Sequence, residues 1–385
     1  MTKTAKNKLS TFIAEETFGD SFRTFKYCFE KVDVPSVVYD DSQDISFKKY
    51  GENEHFKGYK DLVGKANIYA QHPPLFRFFL DGSRRTYKVD DIAYNNRIYP
   101  IIAGQIGVGC CERHSPHIIK AKKIHRCNVI ALPDCADKDG KGNLFFNNLT
   151  KKINRHPSLI SRGLEVSKIL NYADVDDSSK YEDKGIAKIQ DEMIDDEKKI
   201  VFELVKEKAL NENAYLIKDG SLEYASIKSD DTKDLSLIKN NYRRVVGVSK
   251  TFNPERCQDE KGKSNATRIA NLPLFSRTAV YEYNSSRTGD VKFGIWYIRI
   301  RDAKYSYSPF AGIIKVQKIM VTDSEQNNGL DSAEIDAISA NLINERNPVC
   351  YGSDNRWANH LYPIYLTERY LKSQYLSDSY FLNLF

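Results

Sequence analysis

Two stretches of the chain, FRFFLDGSRR at residues 76–85 and AYLIKDGSLEY at residues 214–224, share one pattern. Each is an apolar run followed by Asp-Gly-Ser, so that Asp81 and Asp219 stand where a buried strand is predicted to stop. Asp and Gly are common in turns, because Gly adopts positive φ angles and Asp bonds to its own backbone. Each stretch alone predicts only a turn after a strand, but the repetition raises the question of a shared site.

The segments around the first stretch predict a sheet. LFRFFL at residues 75–80 is typical of a buried strand, and a charged turn is predicted after it. Further strands are predicted around residues 99–108 and at KKIHRCNVIALPD, residues 122–134. Because the links between them are short, these three strands are expected to be antiparallel neighbours.

A long helix is predicted next, from about Ile186 to Leu210, because apolar residues recur there at three- and four-residue spacing. The later elements are predicted in this order: the strand that ends at Asp219, a helix near 235–241, strands at 243–251, 278–284, 293–302 and 312–321, and an aromatic-rich helix at 362–385. Three strands, a crossover helix and then alternating strands and helices indicate a mixed α/β sheet flanked by helices. A ribonuclease-H-like fold fits that order.

The chain divides by pattern into a partly helical lead-in, residues 1–75, and a sheet-forming domain, residues 76–385. A polar segment with helical patches, about residues 140–185, is predicted to be inserted in this domain. Its end, DVDDSSKYEDKG at residues 174–185, is predicted to be a linker or exposed loop.

The composition is that of a globular protein, with 41% hydrophobic and 29% charged residues. No apolar run approaches the roughly 20 residues that cross a bilayer, and the amino-terminal residues lack a secretory apolar segment, so a cytoplasmic location is predicted. The seven cysteines, irregularly spaced, predict reduced thiols. The net charge of +6 permits a polyanionic partner without requiring one, because 52 acidic residues are interspersed among 58 basic ones.

The predicted long helix carries an acid on its apolar face. Glu197 lies four residues after Met193 and four before Val201, so the apolar stripe includes a carboxylate. An ionised carboxylate in an apolar interior is unfavourable unless something neutralises it. One alternative is a helix-edge residue that pairs with a lysine; another is that Glu203 is the functional acid of this helix.

The two aspartates and Glu197 form a hypothetical metal site. Strand ends of one sheet can bring Asp81 and Asp219 together, and the packed helix can direct Glu197 to the same point. Three neighbouring carboxylates favour a hard divalent cation, Mn²⁺ or Mg²⁺, and such a site suits phosphodiester hydrolysis. Ser83 and Ser221 could donate to a phosphate oxygen or simply cap their turns.

Seven features occur in the order found in the NurA nucleases, and the chain resembles that family over about residues 76–371. They are FFLDGS, YPIIAGQIGVG, a long helix with an inward Glu, AYLIKDGSL, VVGVSKT, WYIRI and YPIYL. The resemblance implies a ribonuclease-H-like fold and a manganese-dependent DNA nuclease. It also implies a homodimer that works with a hexameric HerA-type ATPase in end resection or antiviral defence.

Carried over by position, the resemblance assigns roles to single residues. Asp81 and Asp219 look like the metal-binding aspartates of the family, and Glu197 resembles the helix acid. Lys250, after VVGVS, would lie where a cation can meet phosphate, although an exposed lysine at a strand end is an equally good interpretation. Tyr362 matches the tyrosine of the late Tyr-Pro motif, although core packing explains a tyrosine there equally well.

This chain departs from the family in its terminal helix, where family members often carry a histidine. The corresponding stretch, LTERYLKSQ, contains Arg369 and Lys372 but no histidine, and His360 just before the motif is a possible substitute. The departure leaves open a second function, a non-catalytic or weakly active subunit that docks on a translocase ring and regulates it. A ribonuclease or guided nuclease is a third alternative.

Two further groups of residues, one of arginines and one of cysteines and histidines, could bind a ligand or could have only structural roles. Arg84, Arg85, Arg243 and Arg244 could line a DNA path or could be solvated turns. The other group could bind zinc but matches no zinc spacing: Cys110, Cys111, His114, His117, His125 and Cys127. No phosphate-binding loop with a Lys-Ser/Thr pair is present, so ATP use is assigned to a partner.

Overall fold

The computed structural model describes residues 8–21, 27–28, 45–46, 50–175, 179–223, 232–258, 261–285, 288–289, 291–302, 309–346 and 357–385. Within these ranges, thirteen strands form one large sheet and two short strands form a second. None of the helices in these ranges has the length and apolar character needed to span a membrane.

The strands of the described residues, in chain order, are β1 (Asp20–Ser21), β2 (Tyr27–Cys28), β3 (Ile45–Ser46), β4 (Tyr59–Asp61), β5 (Phe76–Tyr94), β6 (Arg97–Ser115), β7 (Ile118–Pro133), β8 (Lys168–Tyr172), β9 (Tyr215–Asp219), β10 (Val245–Ser249), β11 (Cys257–Gln258), β12 (Ser276–Thr278), β13 (Tyr281–Ser285), β14 (Val291–Arg299) and β15 (Ile313–Ile319). The helices are α1 (Leu9–Glu16), α2 (Val63–Tyr69), α3 (Asn143–Ile153), α4 (Pro157–Ile160), α5 (Tyr181–Lys206), α6 (Thr232–Asn241), α7 (Ala266–Ala270), α8 (Asp323–Asn328), α9 (Ser332–Asn344), α10 (Tyr362–Ser373) and α11 (Asp378–Leu382).

The large sheet is mixed. Its main path runs β4-β12-β14-β15-β10-β9-β5-β6-β7-β8. Strands β5, β6 and β7 are antiparallel neighbours, whereas β9 and β10 run parallel to β5. Helix α5 lies in the chain between β8 and β9 and packs against β5, β6, β7 and β8. The predicted mixed α/β class and the three antiparallel strands are therefore confirmed.

Apolar side chains pack on both faces of this sheet. Neighbouring residues of one strand point to opposite faces, and Leu216 and Ile217 of β9 accordingly belong to two different apolar cores. Helix α5 contributes Met193 to the first core, and α9 contributes Ile338 to the second. The sheet is thus covered by helices on both sides, which leaves its strand ends as the place where polar groups can gather.

The turn predicted after Asp81 is wrong. Strand β5 continues from Phe76 to Tyr94, because residues beyond Asp81 pair with β6 along almost the whole length of both strands. The chain turns instead at Asn95 and Asn96, which both have positive φ angles of 50° and 64°. The polar side chains of residues 81–91 suggested a turn, but the backbone pairing of a long hairpin overrides that local preference.

Other boundaries also differ from the sequence prediction. Helix α5 begins at Tyr181 rather than Ile186, so it includes part of the predicted loop 174–185, of which residues 176–178 lie outside the described residues. The predicted terminal helix is divided into α10 and α11. Strand β8 and helix α9 were not predicted. The strands predicted at 278–284 and 293–302 correspond to β13 and β14, which pair antiparallel.

Part of the lead-in belongs to the same sheet as the rest of the chain. Strands β1 and β2 pair with β5, and β4 pairs with β12. The division into a lead-in of residues 1–75, a domain of residues 76–385 and an insertion at about 140–185 stays a prediction.

Candidate active site

The strand register places the two Asp-Gly-Ser aspartates side by side. Strands β5 and β9 run parallel with Leu80 opposite Lys218, so Asp81 and Asp219 are the next residues along the two strands. Strand β10 lies on the other side of β9, with Val248 opposite Asp219. The carboxyl ends of β9 and β10 therefore meet at Asp81, and such strand ends commonly form ligand sites in open α/β sheets.

The glycines of the two motifs have different structural roles. Gly220 has a φ angle of +83° and turns the chain away from β9. Gly82 lies within β5, where an added Cβ would stand only 2.5 Å from Glu197 Oε1 and 3.2 Å from Glu197 Cδ. Gly82 is therefore needed for the close approach of the Glu197 carboxylate, and the first motif is not a turn.

Helix α5 brings Glu197, and not Glu203, to this point. Glu197 is buried, and its Oε2 lies 3.0 Å from Nζ of Lys218. Burial raises the pKa of Glu197, and the positive charge of Lys218 opposes that rise. Glu203 is on the surface side of the helix, where its Oε2 lies 3.1 Å from Nζ of Lys123.

Asp81 is the least compensated acid of the group. It is 4% exposed, and its Oδ2 has no hydrogen-bond partner among the described residues. Burial raises the pKa of Asp81 well above its usual 3.8, and the negative charge of Asp219 raises it further, while Lys250 lowers it. A buried oxygen without a partner is uncommon in folded proteins and is a sign of a functional site.

Lys250 follows β10 and lies between two acids. Its Nζ is 2.9 Å from Asp219 Oδ2 and 3.3 Å from Glu368 Oε2. Burial on its own would lower the pKa of Lys250, but the negative charges of Asp219, Glu368 and Asp81 raise it on balance. Lys250 is therefore a buried, charged ammonium group within a cluster of carboxylates.

Two residues of the cluster, Glu368 and Lys218, were missed by the sequence analysis. Glu368 lies in α10, four residues after the buried Ile364, which is the same spacing that indicated Glu197 after Met193. Lys218 interrupts the apolar strand β9, and its Nζ donates to the Asp219 carbonyl oxygen over 2.8 Å. A charged residue at a buried position was therefore an available signal for both.

These side chains lie in a cleft of about 830 Å³ whose described lining contains six acidic and five basic residues. Ser83, Arg84 and Arg85 are among the residues that line it. Arg84 Nε donates to Gln190 Oε1 over 2.6 Å, and the Arg85 guanidinium stacks on the Tyr375 ring at 4.9 Å. The cleft thus joins an acidic floor to a basic and aromatic rim.

Ser221 also lines the cleft, and its hydroxyl has a structural role there. Ser221 Oγ donates to Gln317 Oε1 over 3.0 Å and accepts from the backbone N–H of Glu223 over 3.0 Å. Its hydroxyl therefore stabilises the turn after β9, which was the alternative considered for the serines.

Arg243 and Arg244 are not brought to this cleft. They precede β10, whereas Lys250 follows it, so Arg244 lies roughly 20 Å from Lys250 at about 3.3 Å per residue. Arg244 pairs with Glu334 over 3.3 Å and hydrogen-bonds to the Tyr215 hydroxyl. These arginines consequently stand at the opposite end of the sheet.

His360 and Tyr362 also lie elsewhere. His360 is buried, with its ring 5.6 Å from the ring of Tyr365, and it does not line the cleft. Tyr362 begins α10 and lines a separate cavity of about 490 Å³. The structure does not bring either residue to the carboxylate cluster.

The predicted cysteine and histidine group is spread along the hairpin of β6 and β7. Cys110 and Cys111 are buried and unoxidised, whereas His125 Nε2 lies 3.7 Å from Glu203 Oε1 on the surface. The pairing of β6 with β7 separates these residues along the strands instead of gathering them. In the part of the chain that the structure describes, no three His, Cys, Asp or Glu side chains are arranged to hold a metal ion.

The carboxylate cleft suits a divalent cation in its chemistry rather than in a preformed geometry. The ammonium groups of Lys218 and Lys250 lie between the acids, where they neutralise part of the negative charge. Carboxylate oxygens are nevertheless the ligands that Mn²⁺ and Mg²⁺ prefer, and Asp81 Oδ2 accepts no hydrogen bond from the residues that the structure describes. The donor set of Asp81, Glu197 and Asp219 therefore fits such an ion.

No protein-family model matches the chain, and no curated protein matches it in sequence. Among solved structures, the chain is similar to the NurA nuclease from Sulfolobus solfataricus, with 9% sequence identity and a TM-score of 0.38. The match covers 80% of this chain and 87% of that chain. A likeness of this size does not assign the chain to a family.

Proposed function

We propose that the protein is a divalent-cation-dependent nuclease that hydrolyses phosphodiester bonds in DNA. The observation that carries this proposal is the convergence of Asp81, Asp219 and Glu197, from β5, β9 and α5, on one cleft in which Asp81 Oδ2 has no hydrogen-bond partner among the described residues. Such a set of acids has few structural uses, because buried carboxylates without sufficient donors destabilise the folded state.

The proposed fold is ribonuclease-H-like. Three antiparallel strands, β5 to β7, are followed by the crossover helix α5 and then by β9 and β10, which run parallel to β5. This is the order of elements on which the fold was predicted from the sequence. It supports the proposal because it places the acids of β5 and β9 on adjacent strands.

Asp81, Glu197 and Asp219 would hold Mn²⁺ or Mg²⁺. Such an ion, when bound, polarises a phosphate and lowers the pKa of a water molecule. Lys250 supplies a positive charge beside these acids, where it can donate a charge-assisted hydrogen bond to a phosphate oxygen.

The rim of the cleft would orient the nucleic acid. Arg84 and Arg85 line the cleft beside Asp81, and positively charged side chains attract the phosphate backbone without reading its sequence. Ser83, also in the lining, can donate to a phosphate oxygen. A rim of this kind leads the backbone to the acids but does not select a base.

The homodimer, the hexameric HerA-type ATPase and a role in end resection or antiviral defence are supported by the order of the sequence motifs alone. We include them in the proposal as the setting in which a nuclease of this kind acts. The cytoplasmic location belongs to the same part of the proposal.

The proposed function is tested by removing single acids. Asp81→Asn and Asp219→Asn are expected to reduce Mn²⁺-dependent cleavage of DNA by more than roughly a hundredfold, because each removes a charged ligand of the ion. Both variants should keep the circular dichroism spectrum of a folded protein, since burial already disfavours the charged form of Asp81 and, in Asp219→Asn, Lys250 keeps its ion pair with Glu368. The assay follows release of labelled nucleotides from single- and double-stranded DNA.

The matched control is Glu203→Gln, which changes an acid on the surface of α5, the helix that carries Glu197. Its cleavage rate should equal that of the wild type. Full activity of both aspartate variants would exclude the proposed nuclease site.

A second candidate function, a non-catalytic subunit that docks on a translocase ring, is favoured by one observation. Lys218 and Lys250 already pair with Glu197 and Asp219, at 3.0 Å and 2.9 Å, so part of the negative charge is neutralised without a metal ion. If Mn²⁺ fails to stimulate digestion of DNA in the presence and in the absence of the ATPase, this second function is the better account.

A further inference from the structure

The carboxylate cleft contains a further acid, Glu368 of α10, which contacts Lys250. We propose that Glu368 is a positioning residue that accepts the ammonium group of Lys250 when a divalent cation occupies Asp81 and Asp219. The inference rests on the proposed function, but it concerns how this chain makes room for the cation.

The geometry around Lys250 provides two acceptors for one ammonium group. Lys250 Nζ lies 2.9 Å from Asp219 Oδ2 and 3.3 Å from Glu368 Oε2. The other oxygen of Glu368, Oε1, lies 2.6 Å from Nζ of Lys372, whose side chain is half-exposed. The Glu368 carboxylate is thus held by Lys372 from the solvent side while its second oxygen faces Lys250.

The burial of Lys250 makes a second acceptor necessary. The residue is 8% exposed, and a buried ammonium group that loses its counter-charge destabilises the folded protein. Asp219 could help to hold a cation only in competition with Lys250, whose ammonium group contacts its Oδ2 and carries the same sign of charge as the cation. Lys250 must then leave Asp219, and a neighbouring carboxylate allows it to do so without becoming unpaired.

Glu368 is suited to this role because it belongs to a different element from the proposed ligands. Helix α10 packs on β5 and β6, so this carboxylate reaches Lys250 from a helix and not from the strand that carries Asp219. Without Glu368, Lys250 would remain on Asp219 and would compete with the cation for that oxygen. Glu368 therefore favours cation binding through Lys250, not through direct ligation.

The test measures Mn²⁺ affinity by isothermal titration with MnCl₂ in the absence of DNA, on the full chain. Glu368→Gln is expected to weaken Mn²⁺ binding by roughly tenfold, about the effect of losing one charge-assisted hydrogen bond in a buried site. Lys250→Met should bind Mn²⁺ at least as tightly as the wild type, because the competing ammonium group is gone. The double variant should bind like Lys250→Met alone.

The controls separate this inference from simpler explanations. Glu203→Gln should leave Mn²⁺ affinity unchanged, and melting temperatures show that each variant is folded. Lys250→Gln is the alternative neutral variant in case the methionine variant does not fold.

Three outcomes would overturn the inference. Unchanged affinity in Glu368→Gln would show that Lys250 needs no second acceptor. An equal weakening by Glu368→Gln in the Lys250→Met background would make Glu368 a direct ligand. If the wild type binds no Mn²⁺, the proposed function fails together with the inference, whereas tight wild-type binding with an unresponsive Glu368→Gln removes the inference alone.

Discussion

The carboxylate cleft can be compared with a second buried charge cluster, the Arg277 group, which consists of Arg277, Glu52 and Asp336. The two clusters differ in how many hydrogen-bond donors their acids have. The Arg277 side chain has no exposed surface and donates to Glu52 Oε1 and Oε2 over 3.0 Å and 2.8 Å and to Asp336 Oδ1 over 2.8 Å. Glu52 also accepts from the backbone N–H of Val280 and from Ser332 Oγ, over 2.8 Å and 2.9 Å. The Arg277 group therefore joins strand β12 to helix α9.

The pKa values of two buried aspartates show the difference. Burial tends to raise the pKa of Asp336, but Lys60, Lys65 and Arg277 outweigh it and hold the pKa below the usual 3.8. The pKa of Asp81 is instead raised, first by burial and then by the charge of Asp219. Burial alone therefore does not separate a structural acid from a functional one, whereas the supply of donors does.

The largest effect on stability is expected when Arg277 is changed to Met. The substitution leaves Glu52 buried without its main counter-charge, and breaking a buried ion pair in this way costs about 3–5 kcal/mol. Urea unfolding at neutral pH measures the loss. The comparison variant is Arg77→Met, whose side chain is 52% exposed and whose partner Glu112, at 2.7 Å, keeps a second ion pair with Lys122 at 3.1 Å. This variant should lose less than about 1 kcal/mol. Equal, small losses in the two variants would show that the Arg277 group does not hold the fold together.

A smaller effect is expected for Gly82→Ala in the cleft. The backbone of β5 accepts Ala, but the new Cβ would stand 2.5 Å from Glu197 Oε1, so the carboxylate must move. Overpacking of this kind costs about 1–3 kcal/mol, and Mn²⁺-dependent cleavage should fall because Glu197 is displaced. Urea unfolding and the DNA assay report the two effects separately.

The matched control is Gly64→Ala in α2, where nothing lies within 4 Å of the added Cβ. Its stability should be unchanged or higher by up to about 1 kcal/mol. Wild-type stability together with full cleavage in Gly82→Ala would contradict the close approach of Glu197 to β5.

The smallest effect is expected in how stability changes with pH, where the contributions of Asp336 and Asp81 should have opposite signs. Because the pKa of Asp336 is lowered in the folded state, its ionised form stabilises the fold above the usual 3.8, and this contribution disappears as the pH falls through the lower, folded-state value. The stability advantage of the wild type over Asp336→Asn should therefore be constant near neutral pH and should shrink in acid below about pH 4.

Asp81 should show the opposite trend in metal-free buffer. The pKa of Asp81 is raised in the folded state, so its ionisation destabilises the fold. The free energy of unfolding of Asp81→Asn should therefore increase relative to that of the wild type as the pH rises above the usual 3.8. Urea unfolding across a pH series measures both trends. If the stability difference from the wild type changed with pH in the same direction for Asp336→Asn and Asp81→Asn, the two clusters would not differ in the way described.

The two Asp-Gly-Ser stretches show how far local sequence predicts the fold. The same three residues form a turn after β9, where Gly220 has a positive φ angle, and a continuous strand in β5, where Gly82 stands opposite Val108 of β6. The strand before each aspartate was predictable from its apolar residues. The continuation of β5 was not, because it depends on backbone pairing with β6, which the side chains of residues 82–94 do not reveal.

The site was predictable where helical periodicity applied. Glu197 was predictable because it interrupts the apolar stripe of α5, and Glu368 interrupts the stripe of α10 in the same way. Arg243 and Arg244 show the opposite limit. Their sequence places them beside a strand, but only the direction of β10 in the sheet shows that they stand at the end away from the acids.

The length of β5 has a mechanical consequence. Past Asp81 the strand runs on for residues 82–94, about 40 Å at roughly 3.3 Å per residue, and is paired along this length with β6. A hydrogen-bonded ribbon of that size forms a rigid wall of the cleft beside the acids, because it can move away only if hydrogen bonds between β5 and β6 break. Any widening of the cleft must then come from helices α5 and α10, which are attached to the sheet by side-chain contacts and not by backbone pairing.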